Sequence, residues 1–155
     1  MLRTAGAVVL GYLVMAILVF ALFTSAYAVL GAEGAFMPGS YDVSAAWILV
    51  SVVVGIVAAL AGGWVARRIA RDVRGPRALA VLVLVLGLGM AALSLGGSRP
   101  DPGPREGAPT NSEAMQQART PTWMMLLNPL IGALGVLVGG GALGPSRRLQ
   151  VADGR

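Results

Sequence analysis

From Thr4 to Leu30 the chain reads TAGAVVLGYLVMAILVFALFTSAYAVL, with no Asp, Glu, Lys, Arg or His. Three further runs share this property: about Ser44 to Ala66, Ala78 to Gly96 and Thr122 to Ala142. Each run holds between 19 and 27 residues, against the ~20 that a helix needs to cross about 30 Å of hydrocarbon. Backbone in lipid must satisfy its hydrogen bonds within the segment, so such runs read as helices. The VLVLVLG stretch of the third run favours strand locally, but a membrane barrel needs many short segments of alternating polarity. The whole chain is 56% hydrophobic and 12% charged, where a soluble domain is about a quarter charged. A bilayer accommodates that apolar excess by acting as its solvent. The expected fold is therefore all-α: one polytopic membrane domain, 1–155, with four transmembrane helices in a compact bundle.

The ends of the runs carry helix signals. Asp42 or Ser44 is placed to cap the second helix. Thr120 is placed to cap the fourth, with Pro121 at its first position, where the missing N–H costs nothing. Tyr41, Trp47, Trp64 and Trp123 fall near expected interfaces, where amphipathic rings are favoured. Pro129 lies inside the fourth run and removes the bond to the Met125 carbonyl, so a kink is expected there. Asn128 beside it is a candidate polar lining or a local partner for a freed group. The connection 97–121 carries four prolines before Thr110 and is expected to be flexible there. After it, SEAMQQAR suits a short helix capped by Asn111 or Ser112, with Glu113 in its first turn.

Charge divides the chain by side. The connection 67–77 holds Arg67, Arg68, Arg71, Arg74 and Arg77 against Asp72 alone. Arg3, Arg147, Arg148 and Arg155 join that side, with Asp153. The other side holds Arg99, Arg105 and Arg119 against Glu33, Asp42, Asp101, Glu106 and Glu113. Arginine-rich short loops stay in the cytoplasm, which places both termini and the arginine loop inside. The arginines read first as this topology signal. Arg67, Arg71 and Arg74 are also expected near one face of a helix that outruns the bilayer, where they can meet anionic lipid headgroups or a partner. Arg68 follows Trp64 by four residues, a spacing suited to stacking. Nucleic acid is not expected as a partner, since arginines pressed against anionic lipid are poorly placed for it.

Arg3, the first apolar run and Ala26-Tyr27-Ala28 together mimic a cleavable secretory signal. The apolar core of about 20 residues exceeds a typical signal core of about 7 to 15, so a retained helix is expected. Small residues recur at helix-facing intervals: Gly55, Ala59 and Gly63 in the second run, and Gly132, Gly135 and Gly139 in the fourth. Such faces let helices approach closely, within one chain or between chains.

The missing residues narrow the function. With no cysteine and no histidine, thiol catalysis, zinc catalysis and iron–sulfur ligation lack their usual groups. A proton-coupled exporter of the small four-helix multidrug type uses a carboxylate within the membrane, and no run carries one. Acids occur singly in connections, so no paired-carboxylate site is legible. No cofactor and no metal are expected. Three stretches, LGYLVMAILVFALFTSAYAVLGAEGAFMPGS, ALAGGWVARRIAR and WMMLLNPLIGALGVLVGG, resemble the small four-span bacterial inner-membrane proteins whose activity is uncharacterised. That resemblance implies a four-helix bundle in a bacterial cytoplasmic membrane and carries no site residues. The function expected is non-catalytic: an accessory, assembly or stabilising component of a membrane complex, as a homo-oligomer or beside a larger partner. The alternative is an oligomeric pore or carrier for a small or neutral solute, lined by Asn128 and the carbonyl freed by Pro129.

Overall fold

The computed structural model describes residues 2–97, 103–105 and 107–143. Arg99, Asp101, Glu106, Arg147, Arg148, Asp153 and Arg155 lie outside the described residues. The elements in order are α1 (Leu2–Ala35), α2 (Ala45–Ala70), α3 (Arg74–Gly96), α4 (Asn111–Gln117) and α5 (Thr122–Gly139). Four of them, all except α4, are long and apolar enough to cross a membrane. The chain is thus an all-helical, multi-pass membrane protein. The long helices alternate in direction. The α2–α3 turn and the end of α5 lie at one end of the bundle, called the arginine end here. The short α4 lies at the opposite end.

Local sequence sets each boundary. α1 formally runs past the expected stop at Leu30, but Gly31 leaves helical geometry with φ 63° and ψ −176°. Only glycine adopts that region readily. α2 begins where the Ser44 side chain accepts from the Trp47 N–H at 3.1 Å, so Ser44 and not Asp42 is its cap. It ends four residues later than expected, with Arg67 and Arg68 in its last turn, where cations favour the helix dipole. Arg71 then takes a left-handed conformation, φ 61°, and its N–H bonds the Arg67 carbonyl at 2.9 Å. α3 starts four residues early, which puts Arg74, Pro76 and Arg77 on its first turn.

Two further expectations shift. Pro121, not Thr120, is the N-cap of α5. Its C-terminus stops at Gly139, with Gly141 at φ 59° and the Ala142 N–H reaching the Leu137 carbonyl at 2.8 Å. That six-residue closure is a Schellman motif, which glycine permits. α5 also continues as one helix through Pro129. A break in helical dihedrals is found in α1, at Gly31.

The α1–α2 contact is the most extensive, followed by α2–α5 and α3–α5, and α3 closes more lightly onto α1 and α2. The core at the arginine end is made of small residues around two larger ones: Ala7, Ala59, Ala66, Leu79, Ala80, Ala133 and Val136. Large side chains such as Ile17, Phe20, Leu49, Val85 and Leu134 point outward. Lipid tails are as apolar as leucine, so helices in a bilayer associate through close packing of small residues, not through burial of large ones.

The glycine pair 62–63 carries this arrangement. Gly62 faces α1: a Cβ there would sit 2.7 Å from the Met15 sulfur and 2.9 Å from the Gly11 carbonyl oxygen. Gly63, about 100° further around the helix, faces α5, where a Cβ would lie 2.8 Å from the Val136 carbonyl carbon. Consecutive glycines thus let α2 touch a backbone on each side.

Candidate functional site

The arginines expected as one face do not share a helix. Arg67 and Arg68 close α2, Arg71 sits in the turn, and Arg74 and Arg77 open α3. The turn itself is fixed by Asp72, whose carboxylate accepts from the Arg74 N–H at 2.9 Å. Arg67 is half-buried and the other four are exposed. The Arg68 guanidinium carbon stands 4.8 Å from the centre of the Trp64 ring, a cation–π pairing of the expected kind. The result is a basic rim around the arginine end, with the charged heads free to meet headgroups.

The small-residue faces divide. A Cβ at Gly135 would meet the Ala59 Cβ at 2.7 Å, and one at Gly139 would meet the Leu60 Cα at 2.7 Å. Gly132 is looser, with the Val83 methyl at 3.1 Å. Gly135 and Gly139, with Ala59 and Gly63, hold α2 and α5 together within the chain, whereas Gly132 faces α3. Gly55 does not join them, because nothing lies within 4 Å of a Cβ built there.

Pro129 is buried and packs into α3: a Cβ at Gly87 would stand 2.6 Å from the proline Cγ. Asn128, next to it, is exposed. It lines the edge of an open groove between α3 and α5, shared with Gly87, Met90, Ser94 and Met125. Ser25 and Ser51 spend their hydroxyls on carbonyls one turn back, Ala21 and Trp47, each at 2.8 Å. Asn128 has no such bond within the described residues.

The α4 end holds a constellation that local patterns miss. The first connection folds as a tight turn, with Gly39 at φ 67° and the Met37 N–H bonded to the Asp42 carbonyl at 2.8 Å. It also pairs with the second connection: the Arg119 N–H bonds the Tyr41 carbonyl at 2.9 Å, and the Val43 N–H bonds the Arg119 carbonyl at 3.2 Å. Arg105 is 9% exposed. Its guanidinium donates to Glu33 at 2.7 Å and to the Gly107 carbonyl at 2.9 Å, and its backbone N–H donates to the Gly39 carbonyl at 2.9 Å. Among the described residues of the proline-rich stretch, Arg105 is one point of attachment and Pro109 another, its carbonyl accepting from the Tyr27 hydroxyl at 2.7 Å; 98–102 and 106, where flexibility is also expected, lie outside the described residues.

These anchors seat α4. Its cap is Thr110, one residue before the expected Asn111 or Ser112, and it forms a capping box with Glu113. Hydrogen bonds from the Thr110 backbone N–H and hydroxyl, both 2.8 Å, hold the Glu113 carboxyl below its ordinary pKa. Asn111 instead reaches down to the Thr24 hydroxyl at 3.3 Å. Beneath α4 lies a cavity of about 170 Å³, lined by Phe23, Tyr27, Phe36, Trp47, Ala114 and Met115 among others. Its rings are mutually packed, with Trp47 5.5 Å from Phe23 and 6.1 Å edge-on from Tyr27. Phe23 and Met115 also line a second groove of about 440 Å³ that runs between α1 and α3.

Among the described residues, no three His, Cys, Asp or Glu side chains gather as a metal site would require. The chemistry on offer among the described residues is packing, a basic rim, the exposed amide of Asn128 within a long apolar helix and an aromatic chamber. Comparison with known family models, curated proteins and solved structures finds no match.

Proposed function

We propose that this chain is a non-catalytic protein of a bacterial cytoplasmic membrane, acting by lateral association as an accessory, assembly or stabilising component of a membrane complex. Asn128 is the observation that supports this reading. It sits six residues into α5, about 9 Å along the helix axis, within the depth of the hydrocarbon and facing out of the bundle. An amide in an apolar medium without a bonding partner costs roughly 2–7 kcal/mol. A neighbouring membrane helix that bonds it recovers part of that cost, ~1–2 kcal/mol in model helices and less in larger proteins. A photoreactive side chain at Leu127, beside it, is expected to give one discrete crosslinked product in native membranes. Asn128→Leu should lower that yield several-fold, and Asn128→Gln should retain it. A smear of products, or a yield indifferent to Asn128→Leu, would refute the reading. An oligomeric pore or carrier remains the alternative, and it requires that the crosslinked neighbour be another copy of this chain.

The same proposal sets the arginine end in the cytoplasm. Arg67, Arg68, Arg71, Arg74 and Arg77 are the basis, by the bias of short arginine-rich loops. There they face anionic headgroups, at ~1 kcal/mol per charge near the surface. Protease added to sealed, intact cells should spare 67–77 and cut there only after permeabilisation. Cleavage before permeabilisation would reverse the orientation.

A further inference from the structure

We infer that the aromatic chamber under α4 and the groove leading from it between α1 and α3 form a binding site for one hydrocarbon chain, admitted from the bilayer. Three observations converge. The first is size. The chamber, about 170 Å³, is comparable to an apolar cavity that takes up a benzene-sized molecule. With the adjoining groove of about 440 Å³, the site falls in the range of about 300–1,000 Å³ typical of small-molecule pockets.

The second is shape. α1 and α3 close tightly near the arginine end, where a Cβ at Gly11 would meet the Leu79 side chain at 2.8 Å. Further along they separate, and the groove follows α1 from Tyr12 through Met15, Val19 and Phe20 to Phe23. That is about 16 Å of helix, an elongated path suited to an acyl chain and not to a compact solute. The side of the groove opens to lipid, so a chain reaches it without crossing water.

The third is chemistry. The lining is almost wholly aromatic, aliphatic or thioether. Met115 stands where chamber and groove join, and its unbranched side chain adapts to irregular occupants. The roof is α4, held to α1 by the Tyr27–Pro109 and Asn111–Thr24 bonds. A roofed chamber distinguishes this site from the open helix faces that lipids merely coat.

Trp47 lines the chamber and serves as the reporter. In a Trp64→Phe, Trp123→Phe background, full-length protein in detergent is titrated with a mid-chain dibrominated fatty acid and, separately, a dibrominated phosphatidylcholine. Bromine quenches indole at short range, so occupancy should appear as saturable quenching near one chain per protein. Ala118→Phe, which fills the chamber, and Ala16→Phe, which fills the groove from its lipid side, should each raise the half-saturating concentration at least tenfold. Ala28→Phe, outside both, should not. Saturation by the fatty acid alone assigns the site to an unesterified chain, by the phospholipid alone to a membrane lipid, and by both to the chain itself; each supports the site. Quenching that rises without a plateau, or curves unchanged by both filling variants, would overturn it. Ala16 is exposed, so its variant keeps the test valid if Ala118→Phe fails to fold.

Discussion

Gly63→Leu is expected to abolish the closed bundle, while Gly55→Leu, eight residues away on the same helix, is expected to leave it intact. The difference lies in what each side chain would meet. At Gly63 the obstruction is backbone: the carbonyl carbon and Cα of Val136 lie 2.8 and 2.9 Å from a built Cβ. A side chain can rotate away, but a helix backbone moves only by separating α2 from α5. Ordinary overpacking costs about 1–3 kcal/mol; separating two backbones should exceed the upper figure. At Gly55 nothing lies within 4 Å, so a leucine there would face lipid like its neighbours. Size-exclusion profiles and thermal unfolding in mild detergent check both variants. A monodisperse Gly63→Leu protein of ordinary stability would show that α2 and α5 do not approach as described.

The second large effect is expected at Arg105. Arg105→Ala removes both side-chain bonds of a guanidinium that is almost fully buried, while its acidic partner Glu33 is 80% exposed. Water screens an exposed carboxylate, so the ion pair as such contributes little. The loss comes from the buried end: hydrogen bonds to charged groups contribute about 1.5–3 kcal/mol. Removing them should favour opening of 103–109 by roughly ten- to a hundredfold. When reclosing is fast, protease cleavage follows that equilibrium. Limited proteolysis of the purified protein should therefore accelerate at 103–109 in Arg105→Ala, with the helical bundle unchanged by circular dichroism. Glu33→Gln, which keeps an acceptor, should have a much smaller effect. Equal cleavage of the wild type and Arg105→Ala would show that the anchor lies elsewhere.

Much of the fold was legible because its physics is local. An uncharged run long enough for the bilayer forms a helix whatever surrounds it, and Ser44 caps α2 through a bond three residues away. Trp64 and Arg68 meet because four residues complete about one turn. Spacing alone did not identify partners. Gly55 and Gly63 share a helix face, yet only Gly63 lies where α5 crosses. Gly62 falls outside the small-residue spacing of Gly55, Ala59 and Gly63, yet it is the contact with α1. Sequence shows the bond that Pro129 loses, but not that its ring fills the notch at Gly87. The α4 end was the least legible. Arg105 and Glu33 are 72 residues apart, and Tyr27 and Pro109 are 82 apart. Nothing in the local pattern of that connection reveals that the Arg105 guanidinium is buried.

The adjacent glycines of α2 also dictate its axial setting against α1 and α5. Sliding α2 by one helical turn would replace Gly63 with either Ala59 or Arg67 against the backbone of α5. The alanine methyl has no room at that crossing, and the arginine would drag its charge into hydrocarbon, where it costs several kcal/mol. The helix consequently has one permitted axial setting, and the axial position of the basic rim is fixed by two residues that carry no charge.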